Sequence, residues 1–137
     1  MGRFRVTLIL LLTVLVVQFV AGMIVNLYVA FPGSLPAGSA WAWSFAHTGV
    51  VPLHVALGTV ILVLSLAAIE FALWAEHRAG ALSVGVGFVC VAVAYLGGMW
   101  FLTYGQSDLS SLVMALGFIA ACVSYTIGLL VTRPDSR

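Results

Sequence analysis

Charge is the scarcest property of this chain. Of its 137 residues, five are Lys or Arg and four are Asp or Glu, whereas 64% are hydrophobic. So few polar side chains cannot coat a water-soluble globule of this size. We therefore predict an integral membrane protein whose main partner is the lipid bilayer.

Motifs of soluble enzymes and of nucleic-acid-binding proteins are also missing. The sequence has no Gly-rich phosphate loop, no Ser-His-Asp or Cys-His arrangement and no basic patch. The two cysteines, Cys90 and Cys122, lie in apolar runs without the spacing of a metal site, so we interpret both as buried small residues. These absences argue against nucleic acid as a partner and favour a role other than catalysis.

Four long apolar runs organise the chain, at residues 6–31, 47–74, 81–103 and 109–131. Each has the ~20 residues that a helix needs to cross ~30 Å of hydrocarbon. We predict an all-α fold, an integral membrane four-helix bundle that forms a single domain over residues 1–137. The first run is too long for the apolar region of a signal peptide and no A-x-A-like site closes it, so we expect it to be retained.

The cationic residues all fall on one side of this arrangement. Two precede the first run, one lies between the second and third, and two follow the fourth: Arg3, Arg5, Arg78, Arg133 and Arg137. Because cytoplasmic segments carry the excess of Lys and Arg, we predict that both termini are cytoplasmic. Residues 31–46 are then expected to form an outer loop, and the chain is expected in a bacterial inner membrane as a multi-pass protein.

An internal repeat divides the chain into two halves. The segment "VQFVAGMIVNLY" (17–28) aligns without a gap with "VAYLGGMWFLTY" (93–104), and "HVALGTVI" (54–61) aligns with "VMALGFIA" (113–120). We predict two helical hairpins of the same orientation, related by a pseudo-two-fold axis along the membrane normal.

Two of the three histidines lie at the outer end of the second run. On one helix, the seven positions between His47 and His54 make nearly two turns, so both would share a face about 10 Å apart. That separation excludes them as two ligands of one iron. The repeat places Val113 opposite His54, so a single chain offers no second histidine for a bis-histidine site.

His54 is the ionisable residue that most needs an explanation. Such residues are costly in a membrane and usually face the bundle interior. We interpret His54 as a haem or metal ligand, as a proton or quinone site, or as a polar tie to Gln18, Asn26 or Thr59. His47, next to the aromatic loop, is expected at the membrane interface.

The pattern His-x-x-Leu-Gly, here His54-Val-Ala-Leu57-Gly58, resembles one found in small bacterial four-helix membrane proteins and in the four-helix halves of haem A synthase and other b-haem bundles. This resemblance implies that His54 is an axial ligand of haem b near the outer face, in a protein related to electron transfer. It also implies that Gly58 lets the porphyrin or a neighbouring helix come close. The sequence departs from the pattern at Val113 and in residues 31–46, which lack the carboxylates and cysteines of haem A synthase.

Met114, adjacent to Val113, is a candidate for the missing axial ligand, because a thioether can bind haem iron. Gly22 and Gly98 are equivalent in the repeat. We expect this pair to leave a cleft for a flat cofactor or to allow a tight helix crossing.

Two further functions remain open at this point. Met23, Met99 and Met114 are expected at the same depth as His47 and His54, and thioethers with imidazole are ligands that Cu(I) prefers. The chain would then handle copper. Alternatively, it is a cofactor-free accessory or assembly subunit, packed into a larger membrane complex or a homodimer through small residues at four-residue spacing.

Reporter fusions test the predicted orientation. Green fluorescent protein fused after Arg137 is expected to fluoresce, and alkaline phosphatase inserted after Gln106 is expected to be active, because the first site is predicted inside and the second outside. Phosphatase after Arg137 serves as the matched control and should be inactive. The reverse pattern would overturn the orientation.

Overall fold

The computed structural model describes residues 2–33, 35–36, 38–74 and 78–132. These residues form five helices: α1 (Gly2–Tyr28), α2 (Ser39–His47), α3 (Val50–Trp74), α4 (Arg78–Tyr104) and α5 (Asp108–Val131). In this part of the chain there is no strand, and four helices, α1, α3, α4 and α5, are long and apolar enough to cross a membrane. The all-α prediction with four membrane-spanning helices is confirmed to that extent.

The first helix is displaced toward the N terminus relative to the predicted run. It already includes Phe4, which is buried, and it ends at Tyr28 rather than at Phe31. Pro32 prevents the helix from continuing past Phe31, because the ring of a helical proline clashes with the carbonyl group four residues before it. That carbonyl belongs to Tyr28.

The region before α3 corrects two sequence-based expectations. The predicted outer loop at 31–46 contains a helix, Ser39–His47, and the second long helix begins at Val50 rather than at His47. His47 and His54 therefore belong to different helices, and the expectation that they share a helix face is wrong.

Thr48 produces this break. Its backbone is extended, with φ −133° and ψ 138°. Its N–H and its hydroxyl both donate to the carbonyl oxygen of Ser44, at 3.0 Å and 2.9 Å. The last turn of α2 is thus capped by a residue that leaves the helix, and α3 starts two residues later.

At the start of α5, Ser107 is the N-cap, and its hydroxyl oxygen accepts from the N–H of Ser110 at 3.2 Å. Asp108 follows as the first helical residue. Its carboxylate is favourable there because the N-terminus of a helix carries partial positive charge.

The four long helices form a ring in the order α1, α3, α4, α5, with the α4–α5 packing the most extensive. Among the described residues, the backbone of α1 does not approach that of α4, nor that of α3 that of α5. These two pairs therefore lie on the diagonals of the bundle. Two hairpins related by a two-fold axis would produce the same ring, although the repeat itself stays a prediction.

The bundle has two distinct ends. At one end, the Arg5 guanidinium donates to the carbonyl oxygen of Thr132 at 2.9 Å, which joins the start of α1 to the residue after α5. At the other, the N–H of Gly38 donates to the carbonyl oxygen of Thr103 at 2.8 Å, which joins α2 to the last turn of α4. We call the latter the α2 end. Which side of a membrane it faces stays a prediction.

The buried apolar residues form two separate clusters. The main cluster comprises Phe4, Leu8, Leu11, Leu15, Ile61, Ala68, Ala72, Val84, Val91, Ala121 and Tyr125. The smaller α2-end cluster comprises Ala40, Val51 and Leu102. The outer surfaces of the long helices are covered by exposed large apolar side chains, as expected for contact with lipid.

Polar ties cross the main cluster. The Tyr125 ring on α5 lies against Gly87 of α4, and its hydroxyl donates to Oγ of Ser65 on the diagonal helix α3 at 2.8 Å. Ser65 in turn donates to the carbonyl oxygen of Ile61 at 2.7 Å. Each of these buried hydroxyl groups has a partner, which matters because no water in a bilayer core would replace it.

Small residues set the approach of α4 and α5. A Cβ added at Gly117 would lie 2.8 Å from the carbonyl oxygen of Cys90 and 2.9 Å from Cβ of Ala94. The small residues at four-residue spacing are thus used between helices of one chain, which is a common way for membrane helices to pack.

Gly117→Ala is expected to destabilise the bundle by about 1–3 kcal/mol, because the added methyl group meets backbone that cannot move without separating α4 from α5. Gly85→Ala is the matched control: no atom lies within 4 Å of its added Cβ, so only the higher helix propensity of Ala acts. Unfolding of both variants by SDS in mixed micelles, followed by circular dichroism, measures the difference. Equal stability would contradict the close packing.

Candidate functional site

His54 lies in the second turn of α3 and points toward α1. Its ring packs directly on Gly22, where an added Cβ would lie only 2.9 Å from Cε1. The side-chain amide nitrogen of Gln18 donates to Nε2 of the imidazole at 3.3 Å. Of the three partners expected from the sequence, Gln18 is the one that His54 contacts by a hydrogen bond.

The second ring nitrogen of His54 is different. Nδ1 is buried and has no hydrogen-bond partner among the described residues, and the same is true of Oε1 of Gln18. Rotating the Gln18 amide by 180° would bring Oε1 to Nε2 and would leave Nδ1 as an unprotonated acceptor. In both arrangements Nδ1 is left without a partner, which is costly in an apolar interior.

The polar contacts continue from Gln18 to α4. A Cβ added at Gly58 would lie 3.3 Å from the amide nitrogen of Gln18 and 3.6 Å from Cδ2 of Tyr95. Thr59 donates its hydroxyl hydrogen to the carbonyl oxygen of Val55, so it accepts from the Tyr95 hydroxyl, whose oxygen lies 3.2 Å away. Gly58 therefore makes room for a polar side chain from one neighbour and an aromatic ring from another.

The α4–α5 half has a comparable arrangement without a polar group. The Met114 sulfur lies against Gly98, 3.3 Å from where its Cβ would be. Val113, which the predicted repeat aligns with His54, packs on Gly97, where an added Cβ would lie 3.2 Å from its Cγ1. In both halves, therefore, a side chain of one helix packs against a glycine of the adjacent helix.

Of the five residues that the sequence assigns to cofactor binding, Gly22, His54 and Gly58 are linked by contacts through Gln18, whereas Gly98 and Met114 contact each other one turn from Tyr95 along α4. We call both sets together the His54 layer: Gln18, Gly22, His54, Gly58, Tyr95, Gly98 and Met114. None of its members belongs to the main cluster or to the α2-end cluster, and all are half-buried rather than fully buried. The layer is therefore a break in the apolar core.

The residues assigned to a copper site are not brought together in this way. His47 is exposed at the end of α2, where Nδ1 donates to the carbonyl oxygen of Trp43 at 2.9 Å and its ring stacks on the indole. Met23 and Met99 are 39% and 37% exposed on the outer surfaces of α1 and α4. Over the described ranges, no three His, Cys, Asp or Glu side chains are grouped so that they could hold a metal ion.

The space next to His54 decides whether a haem fits. By type, the donor atoms fit, because Nδ1 is free and the Met114 thioether lies on the helix diagonal to α3. A cavity for the porphyrin is not preformed, however. The imidazole of His54 fills the space next to Gly22, and the thioether of Met114 fills the space next to Gly98. A recess of about 410 Å³ lies elsewhere, on the outer face of α3, lined by Ala56, Thr59, Val60, Val63 and Leu64.

Two members of the layer carry weaker signals in the sequence. Gln18 stands out there as an amide within an apolar run, which is why it can be named as a partner of His54. Tyr95 was missed, although it precedes Gly98 by one helical turn and is the first of the aromatic residues in the predicted repeat segment 93–104. Aromatic residues are too common in membrane helices for that position alone to indicate a site.

No protein-family model, curated protein or solved structure matches this chain. The resemblance to haem A synthase and other b-haem bundles therefore depends on residues 54–58 alone, and the site itself is the remaining source of evidence on function.

A double-mutant cycle tests the contact between His54 and Gly22. Gly22→Ala is expected to destabilise the protein by about 1–3 kcal/mol, because the methyl group would overlap the imidazole. In a His54→Ala background the same change should cost under about 0.5 kcal/mol, since the space is then empty. SDS unfolding of the four proteins gives the coupling energy, and additive effects would mean that the ring does not pack on Gly22.

Proposed function

We propose that this chain is a small b-type haem protein of the membrane, related to electron transfer, with His54 as an axial ligand in the His54 layer. The observation that carries the proposal is Nδ1 of His54, a buried imidazole nitrogen without a hydrogen-bond partner in the described part of the chain, on the same ring as Nε2, which is held by Gln18. Of the functions considered, haem binding uses this nitrogen most directly.

Gln18 would act as the residue that orients the ligand. Histidines that bind metals almost always donate their other ring N–H to a fixed acceptor, which sets the tautomer and the ring plane. With its amide turned, Gln18 offers Oε1 to the Nε2–H and leaves the lone pair on Nδ1. The amide is itself held in place between His54 and Gly58.

Met114 is the residue best positioned to supply a second ligand. It belongs to α5, diagonal to α3, and its sulfur packs on Gly98, one turn after Tyr95 on α4. A haem held by these residues would supply one-electron transfer, and its potential would depend on the thioether. For a haem to bind, the imidazole must move away from Gly22 and the thioether must move away from Gly98.

A cofactor-free accessory or assembly subunit is the second candidate. It is favoured by the fact that Gly22, Gly58 and Gly98 are already filled by side chains of this chain. His54 would then be a polar tie between α1 and α3, of the kind that adds about 0.6–1.7 kcal/mol in membrane proteins. A partner would have to use the larger apolar outer faces, because Gly117 and its neighbours are occupied within the bundle.

Copper handling has less support. Met23 and Met99 face outward, and His47 belongs to α2, so reaching a common ion would require rotations of three helices. Cu(I) nevertheless gives a distinct prediction, namely stoichiometric metal that is lost when two methionines become Leu.

The orientation belongs to the same proposal. With both termini cytoplasmic, the α2 end faces outward and the His54 layer lies in the outer half of the membrane. We propose a bacterial inner membrane as the location.

Absorption spectra of the purified protein, oxidised and reduced with dithionite after expression with ample haem, test the proposal. We expect a Soret band and reduced α/β bands that His54→Ala removes, because no other residue of the layer offers a free imidazole. His47→Ala is the matched control and should leave the spectrum unchanged, since that ring is exposed on α2. Met114→Leu should shift the bands.

A colourless wild-type protein would contradict haem binding. Bound copper in such a preparation would favour the third function, and a co-purifying membrane protein the second.

A further inference from the structure

Helix α2 covers the α2 end of the bundle. Its buried face carries Ala40 and Ser44, 2% and 0% exposed. Ala40 packs in the α2-end cluster with Val51 and Leu102. Because Val51 is one turn before His54 on α3, this cluster separates the His54 layer from the aqueous phase at that end.

Among the described residues, two hydrogen bonds join α2 and the residue before it to α4. Nε1–H of Trp41 donates to Oγ1 of Thr103 at 3.1 Å, and the N–H of Gly38 donates to the carbonyl oxygen of the same residue at 2.8 Å. Both attachments therefore depend on a single residue of α4. We call the Trp41–Thr103 side-chain bond the Thr103 latch, whereas the Gly38 bond fixes the residue before α2 to α4.

The two ends of α2 are suited to rotation. Gly38 has φ +83°, a left-handed conformation that favours glycine, and it directly precedes the helix. At the other end, extended Thr48 and Gly49 separate α2 from α3. Movement of the helix would thus need changes at a few positions only, as is typical of hinges.

The closed position of α2 also leaves one polar group unsatisfied. The hydroxyl of Ser44 is fully buried and has no hydrogen-bond partner among the described residues. Water would satisfy this hydroxyl if α2 moved away, so the closed state has a cost that opening removes. The packing of α2 on α3 and α4 is also the least extensive between helices of the described chain, and segments with few contacts are the ones that open locally.

We propose that α2 is a lid that opens about Gly38 and Gly49 and gives the aqueous phase access to the His54 layer. The Thr103 latch holds it closed. The purpose of this opening, to admit a cofactor or small ligand to His54, rests on the proposed function. The motion itself needs no cofactor.

Cysteine labelling of the full chain in detergent tests the lid. In a Cys90→Ala/Cys122→Ala background, Val51→Cys places a thiol beneath α2, and a water-soluble maleimide reports its exposure. Adding Trp41→Phe and Thr103→Val removes the side-chain bond of the latch and should raise the labelling rate about five-fold, the effect of one hydrogen bond. Gln106→Cys in the exposed α4–α5 turn is the control and should react at one rate with and without the latch.

Gly117→Ala distinguishes lid opening from unfolding of the whole bundle. It weakens the α4–α5 packing and leaves the latch intact, so labelling at Val51→Cys should not change. Equal acceleration by Gly117→Ala and by the latch variants, or no acceleration by the latch variants, would overturn the proposal.

Hydrogen exchange of the unmodified protein provides an independent measurement. Amide hydrogens in α2 are expected to exchange at least about ten-fold faster than those in the middle of α5. Protection of α2 equal to that of α5 would overturn the lid. A colourless protein with an opening lid would remove the haem proposal alone, whereas a haem-containing protein with a static α2 would remove the lid alone.

Discussion

The imidazole of His54 has to be accommodated between two apolar helices, α1 and α3. Three residues of these helices near the α2 end make this possible. The ring fits because α1 carries no side chain at Gly22. One turn earlier, Gln18 supplies a hydrogen bond, and Gly58 on α3 leaves room for the amide. In an environment without water, each of these features reduces the cost of burying a polar ring.

The same solution recurs elsewhere in the bundle, where a large side chain packs on a glycine of the adjacent helix. Met114 packs on Gly98, and Tyr125 packs on Gly87. Lipid tails are as apolar as the helices, so packing and interhelical hydrogen bonds, rather than the hydrophobic effect, drive association. Glycine positions therefore decide how the four helices meet.

The polar groups inside this packing are of two kinds, those with a hydrogen-bond partner and those without one among the described residues. The Tyr125 hydroxyl, deep in the main cluster, donates to Ser65 and so behaves as a structural tie. Nδ1 of His54 has no hydrogen-bond partner among the described residues, and it lies in a layer where the apolar core is interrupted, next to the cluster that α2 covers. This unsatisfied nitrogen, in contrast to the Tyr125 hydroxyl, is what supports the proposal of a ligand at His54.

The sequence by itself determined the four apolar runs, because length and hydropathy are local properties, and it named Gln18, Asn26 and Thr59 as alternative partners for His54, from which the structure selects Gln18. It did not predict α2, since the break at Thr48 depends on a hydrogen bond to Ser44 inside a segment rich in Pro, Gly and aromatic residues. Spacing along a helix gives the relative depth of a side chain, but packing against neighbours sets the rotation of the helix about its axis. For that reason only the tertiary structure decided that the imidazole packs on Gly22 and the Met114 thioether on Gly98, while Met23 and Met99 face outward.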